Sequence, residues 1–120
     1  IQDPIHGSGK RGTPIRVANT GFGFSGCGWV FHQEDRFDQE KILRVLQMPW
    51  PQDEGGNWST TGRVKGFFPS TQGWVSVNGL GPDQRLKIGR PGADGRLEVI
   101  VAGTAPDWPA LETKLLECLI

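Results

Sequence analysis

Apolar and polar positions alternate most clearly in Gly62–Asn78, GRVKGFFPSTQGWVSVN. This pattern predicts two strands, Gly62–Phe68 and Gly73–Asn78, joined by the turn formers Pro69-Ser70-Thr71-Gln72. Side chains point to opposite faces along a strand, so Val64 and Phe68 share one face and Arg63, Lys65 and Phe67 the other. In the second strand Val75 and Val77 oppose Trp74, Ser76 and Asn78. A cationic pair beside aromatic residues on one hairpin face suits a binding surface. An ordinary solvated sheet face has the same pattern.

The same reading extends to both sides. Phe24–Gln33 is aromatic and β-branched enough for a strand, with Cys27, Trp29 and Phe31 on one face. A helix follows, with Asp38 as its cap, Phe37 and Ile42 placed for a hydrophobic staple, and Pro49 as its stop. Ile42, Leu43, Val45 and Leu46 form its apolar stripe. Pro51–Asn57 reads as a surface loop. Further on, Gln84–Gly89 alternates and RLEVIVA (Arg96–Ala102) is nearly all apolar, as expected of a strand inside a sheet. Asp107 and Pro109 then open a helix whose inward stripe is Leu111, Leu115, Cys118 and Leu119. Residues 1–20 show no sustained period and read as an interdomain linker or flexible arm, leaving 21–120 as the folded domain.

The expected fold is therefore α+β: an antiparallel sheet of about five strands with two helices packed on one face, in the order β-α-β-β-β-β-α. The face carrying Arg63, Lys65, Phe67 and Trp74 is left open to water or to another domain.

Composition narrows the function. The 120 residues suit one domain, and thirteen basic residues cancel thirteen acidic ones. Nothing in that balance favours nucleic acid or a membrane surface, and neither is expected as a partner. No stretch is long and apolar enough to span a bilayer. The chain starts at Ile1, so a fragment or processed product is expected. Cys27 and Cys118 match no zinc-ligand spacing and read as reduced core thiols rather than a disulfide, which suits the cytoplasm. The GSGK substring is not a phosphate loop, because Pro4 and Arg11 stand where Gly and Ser or Thr are needed.

Several of these segments together resemble a known family. SGCGWVF (Ser25–Phe31), FD (Phe37, Asp38), GRVKGFF (Gly62–Phe68), GWVSVN (Gly73–Asn78) and RLEVIV followed by DWPALETKLLECL (Asp107–Leu119) are similar, in order and spacing, to the C-terminal domain of CobW-type P-loop GTPases. The resemblance implies an accessory domain in cobalamin biosynthesis or in chaperoning cobalt or zinc, acting through protein or interdomain contacts. It implies the family's N-terminal GTPase domain as partner, with a metal-receiving client protein beside it. GTP, Mg and a transition metal, Co or Zn, would belong to the parent protein, itself a GTP hydrolase. This segment holds neither the Walker loop nor the Cys-x-Cys-Cys motif, so no catalytic residue and no cofactor is expected in it. Lys65, between Arg63 and Gly66, matches the lysine of the family's R-x-K-G stretch.

The candidate chemistry reduces to two readings. Thiolate and imidazole suit zinc or cobalt, so Cys27 and His32 form a candidate metal pair. Their odd separation, however, puts them on opposite faces of a regular strand unless a bulge intervenes. His6 lies in the arm. The carboxylates Glu34, Asp35, Asp38 and Glu40 fit a helix start better than a paired-carboxylate enzyme. Against this stands an interaction surface of Arg63, Lys65, Phe67 and Trp74, with Trp50 and Trp58 in nearby loops.

Overall fold

The computed structural model describes residues 10–47, 50–51, 58–59, 62–80, 83–92, 94–103 and 105–120. Its elements are β1 (Ile15–Gly21), β2 (Phe24–Val30), α1 (Gln39–Gln47), β3 (Trp50–Pro51), β4 (Trp58–Ser59), β5 (Arg63–Ser70), β6 (Gly73–Leu80), β7 (Asp83–Ile88), β8 (Arg96–Ala102) and α2 (Trp108–Leu116). Six strands form one sheet in the order β1-β2-β8-β5-β6-β7, with every pair antiparallel. The remaining two, β3 and β4, make a short separate pair that flanks the segment read as a loop, overlapping it only at Pro51. The α+β class and the two helices follow the expectation, with one strand more in the main sheet.

That extra strand is β1. It turns part of the expected arm into sheet, pairing Ile15 with Val30 through to Gly21 with Phe24. The hairpin closes on Phe22 and Gly23, both with positive φ (52° and 80°), the backbone twist that a two-residue hairpin loop needs. The turn before β1 is tied down too. Asp35, 3% exposed, accepts the Gly12 backbone N–H on both carboxylate oxygens at 2.9 and 3.0 Å. His6 and most of the 51–57 segment lie outside the described residues.

Alternation explains the core. Val64 and Phe68 of β5, Val75 and Val77 of β6, and Leu97, Val99 and Val101 of β8 are buried on one sheet face. Cys27 and Trp29 join them from β2, and Ile42, Leu46, Leu111 and Leu115 press on them from the two helices. Phe31, Phe37 and Phe68 stack edge to face, with centroids 4.8 and 5.1 Å apart. The nearly continuous apolar run of β8 places it inside the sheet, though only its odd-numbered side chains reach the core. Its even-numbered side chains, such as Glu98 and Ile100, lie on the open face.

Both caps form as the sequence predicts. Asp38 Oδ1 accepts the Lys41 N–H at 3.0 Å, and Asp107 Oδ1 accepts the Ala110 N–H at 3.0 Å. The chain end is fastened to the start of α1, where the Cys118 and Arg36 carbonyls accept the N–H groups of Asp38 and Ile120. Pro69 is tolerated in β5 because pairing with β8 ends at Phe67, so its missing N–H costs no ladder bond on that side.

Candidate functional site

Strand registers set out the open face row by row. One row runs Val17, Gly28, Glu98, Lys65, Asn78 and Arg85 across all six strands. Its neighbour runs Ile15, Val30, Arg96, Phe67, Ser76 and Lys87. Above these rows lies a groove of about 600 Å³, bounded by Ile15, Val17 and Val30 on one side and by Lys65, Phe67 and Asn78 on the other. The chain as a whole is neutral, yet this face is not. It carries Arg63, Lys65, Arg85, Lys87 and Arg96 against Asp83 and Glu98.

The four predicted surface residues fall into two pairs. Arg63 and Lys65 are exposed, and Arg63 donates to Asn78 Oδ1 at 3.2 Å. Phe67 and Trp74 are on the same face but only half-exposed, with ring centroids 5.0 Å apart. A Cβ at Gly89 or Gly92 would come within 2.7 or 2.9 Å of the Phe67 ring. The turn after β7 therefore covers this aromatic pair, and the Gly89 N–H donates to the Trp74 carbonyl at 2.7 Å. The cations remain the accessible part of the predicted surface. The side chains of Trp50 and Trp58 lie outside the described residues, and Trp29 is core, donating from Nε1 to Glu112 at 3.1 Å.

The face also carries apolar groups that were not singled out from sequence. Val17, Phe24, Leu80 and Ile100 are exposed on it, and Phe22 stands fully exposed at the hairpin tip. The spacing Ile15, Val17, Asn19 followed by Gly-Phe-Gly carries the signal. It is weak because only two of those three alternating positions are apolar.

The candidate metal pair is not assembled. Cys27 is 2% exposed in the middle of β2 and faces the helices, while His32 lies beyond the end of that strand. His32 accepts the Glu34 N–H on Nδ1 at 3.0 Å, which engages one ring nitrogen locally. Burial pushes the Cys27 thiol up to about 11, with Glu112 adding to the rise and Arg16 opposing it. Burial likewise pushes Cys118 up to about 11. A metal takes the thiolate, so the burial that raises these thiols works against either as a ligand. Among the described residues no three His, Cys, Asp or Glu side chains converge on a metal position. Both cysteines are free, and no described helix is long and apolar enough to cross a membrane.

An open-faced α+β domain is thus defined, with one face packed by helices and the other cationic, grooved and without an assembled chemical centre among the described residues. A family model described as the cobalamin synthesis protein cobW C-terminal domain matches residues 27–119, and the chain belongs to that family. It is also 32% identical over 105 residues to the zinc chaperone YeiR of Escherichia coli (strain K12), an alignment covering 85% of this chain and 28% of that protein. The chain thus spans little more than a quarter of this relative's length. No solved structure matches.

Proposed function

We propose that this chain is a non-catalytic accessory domain in metal-ion handling or cobalamin synthesis, working through its open sheet face on the GTPase domain of the parent protein. The single observation that carries this reading is the uncovered face, with Arg63 and Lys65 at its centre, in a domain of this family. Its likeness to a zinc chaperone supports transition-metal handling, zinc or cobalt, as the setting. GTP and Mg belong to the GTPase domain, and the metal is cargo passed to a receiving protein. Neither buried cysteine fits a metal ligand as it stands, so no step of the mechanism runs through metal held here.

The mechanism is a change of docking. Nucleotide state alters the GTPase surface, and the sheet face binds one state more tightly than the other. Binding shifts a two-state equilibrium only by its difference in affinity between the states. Rim cations such as Arg63 and Lys65 contribute mostly to encounter rate and salt dependence. The setting is the cytoplasm, consistent with two free thiols.

Mixing the chain with the separately produced GTPase domain, in GDP and in GTP, tests this. Arg63→Ala with Lys65→Ala is expected to weaken association about tenfold and to flatten its dependence on salt. Unchanged association and unchanged GTP turnover would remove the docking role from this face.

A further inference from the structure

The glycines of the sheet differ in what they answer to. At Gly66 a Cβ would meet Leu97 Cδ1 at 2.6 Å and the Arg96 carbonyl at 2.9 Å, so packing within the sheet demands glycine. At Gly26 it would meet Asn19 Oδ1 at 3.0 Å, so the Asn19 side chain occupies the space above. Gly28 answers to neither. Its φ is not positive, and a Cβ there would meet only the Leu97 carbonyl, at an ordinary 3.9 Å. A glycine inside a strand weakens it, and one the fold does not require marks a place where something approaches the backbone closely.

Gly28 also has a telling position. It is the floor of the groove in the row Val17, Gly28, Glu98, Lys65. Strands lie about 4.7–4.9 Å apart, so Val17 and Glu98 stand about 10 Å apart across a position with no side chain. That width takes one extended chain or one ridge of side chains. Asn19 closes the slot on the Gly26 side, and Val30 and Ile15 wall the other end.

From this we infer that the groove over Gly28 is a slot for a protein segment that carries an aliphatic side chain beside a carboxylate. The aliphatic group sits on Gly28 between Val17 and Val30, and the carboxylate meets Lys65. Charge complementarity selects this occupant, since the groove lining carries the cations Lys65 and Arg96 against the carboxylate of Glu98. Arg96 already pairs with Asp94 at 3.0 Å, which leaves Lys65 as the central cation of the groove wall. Glu98, directly opposite Lys65, works against the carboxylate and sets the slot's affinity lower than Lys65 alone would. The inference rests on the docking role proposed above and names the chemistry that role would recognise.

The test uses the whole 120-residue chain and two synthetic hexapeptides, one alternating leucine with glutamate and one alternating leucine with lysine. Binding is read from amide shifts of Gly28, Lys65 and Asn78. The glutamate peptide is expected to move these amides and the lysine peptide to bind at least about tenfold more weakly. Gly28→Leu fills the slot and should abolish the shifts. Gly28→Ala, a smaller change that the 3.9 Å spacing accommodates, should weaken binding several-fold and guards against a folding defect. Glu98→Gln should tighten binding of the glutamate peptide, and Lys65→Glu should reverse the preference.

Equal binding to wild type and Gly28→Leu would overturn the slot. So would binding of neither peptide, and preference for the lysine peptide would overturn its assigned charge. Association with the GTPase domain is measured separately, with the Arg63 and Lys65 double variant. The slot fails alone if Gly28→Leu leaves peptide binding unchanged while the double variant still weakens that association, and the docking role fails if the double variant leaves it unchanged.

Discussion

The two faces of the one sheet obey the same strand periodicity and do opposite work. On the helix face Val64, Phe68, Val75, Val99 and Val101 are at most 1% exposed and interlock with α1 and α2. On the other, Arg63, Lys65, Asn78 and Glu98 are exposed, in register with the same neighbours. Stability is therefore concentrated on one side, and the recognition proposed above is assigned to the other. Substitutions one residue apart in β5 should report different properties.

Phe68→Ala should show this most strongly. Phe68 is fully buried and stacks on Phe37, so its loss is expected to cost about 3–5 kcal/mol in denaturant unfolding. The adjacent Phe67→Ala should cost distinctly less, about 1–2 kcal/mol, because Phe67 is only half-covered by Trp74 and the 89–92 turn. An equal cost for both would break the comparison.

Caps and termini come next. Asp107→Ala removes the carboxylate that caps α2 and should cost about 1 kcal/mol, read from the urea midpoint. On the open face, Arg63→Ala and Lys65→Ala should each change stability by less than about 0.5 kcal/mol. A larger loss would mean that these cations support the fold.

The cysteines supply a pH test of the helix face. Their thiols are raised to about 11 when folded, above the ordinary value of 9.0. A raised acid favours folding while it is neutral. The contribution is fully present below about pH 9 and is lost as pH climbs towards 11. The chain has no tyrosine, so Cys27→Ser with Cys118→Ser should flatten the alkaline loss measurably. In the wild type, iodoacetamide at pH 8 should modify neither thiol until the chain unfolds. Rapid labelling of Cys27 in the folded chain would contradict its placement.

Much of the helix face was legible because burial enforces alternation. Val64 and Phe68, Val75 and Val77, and Leu111 and Leu115 all fall where their spacing put them. The caps at Asp38 and Asp107 were legible because few residue types can satisfy free N–H groups at a helix start. β1 was not legible. An edge strand exposed on both faces has no need of an apolar stripe, and Arg16, Ala18 and Thr20 give none. The cover over Phe67 and Trp74 was hidden for another reason. It depends on backbone from Gly89 and Gly92 packing on the rings, and glycine has no side chain to advertise a contact. The open face was partly legible: Arg63 and Lys65 by parity, but not the groove, which needs β1 as its second wall.

The central claim is that recognition uses the face the helices leave uncovered. Amide chemical shifts of the labelled chain, recorded with and without the GTPase domain, test it most directly. The account predicts shifts clustered on β5, β6 and β8 at Lys65, Asn78 and Glu98, with Gly28 beside them, and little change along α1 and α2. Shifts confined to the outer surfaces of the helices, with Gly28 and Lys65 unmoved, would contradict it.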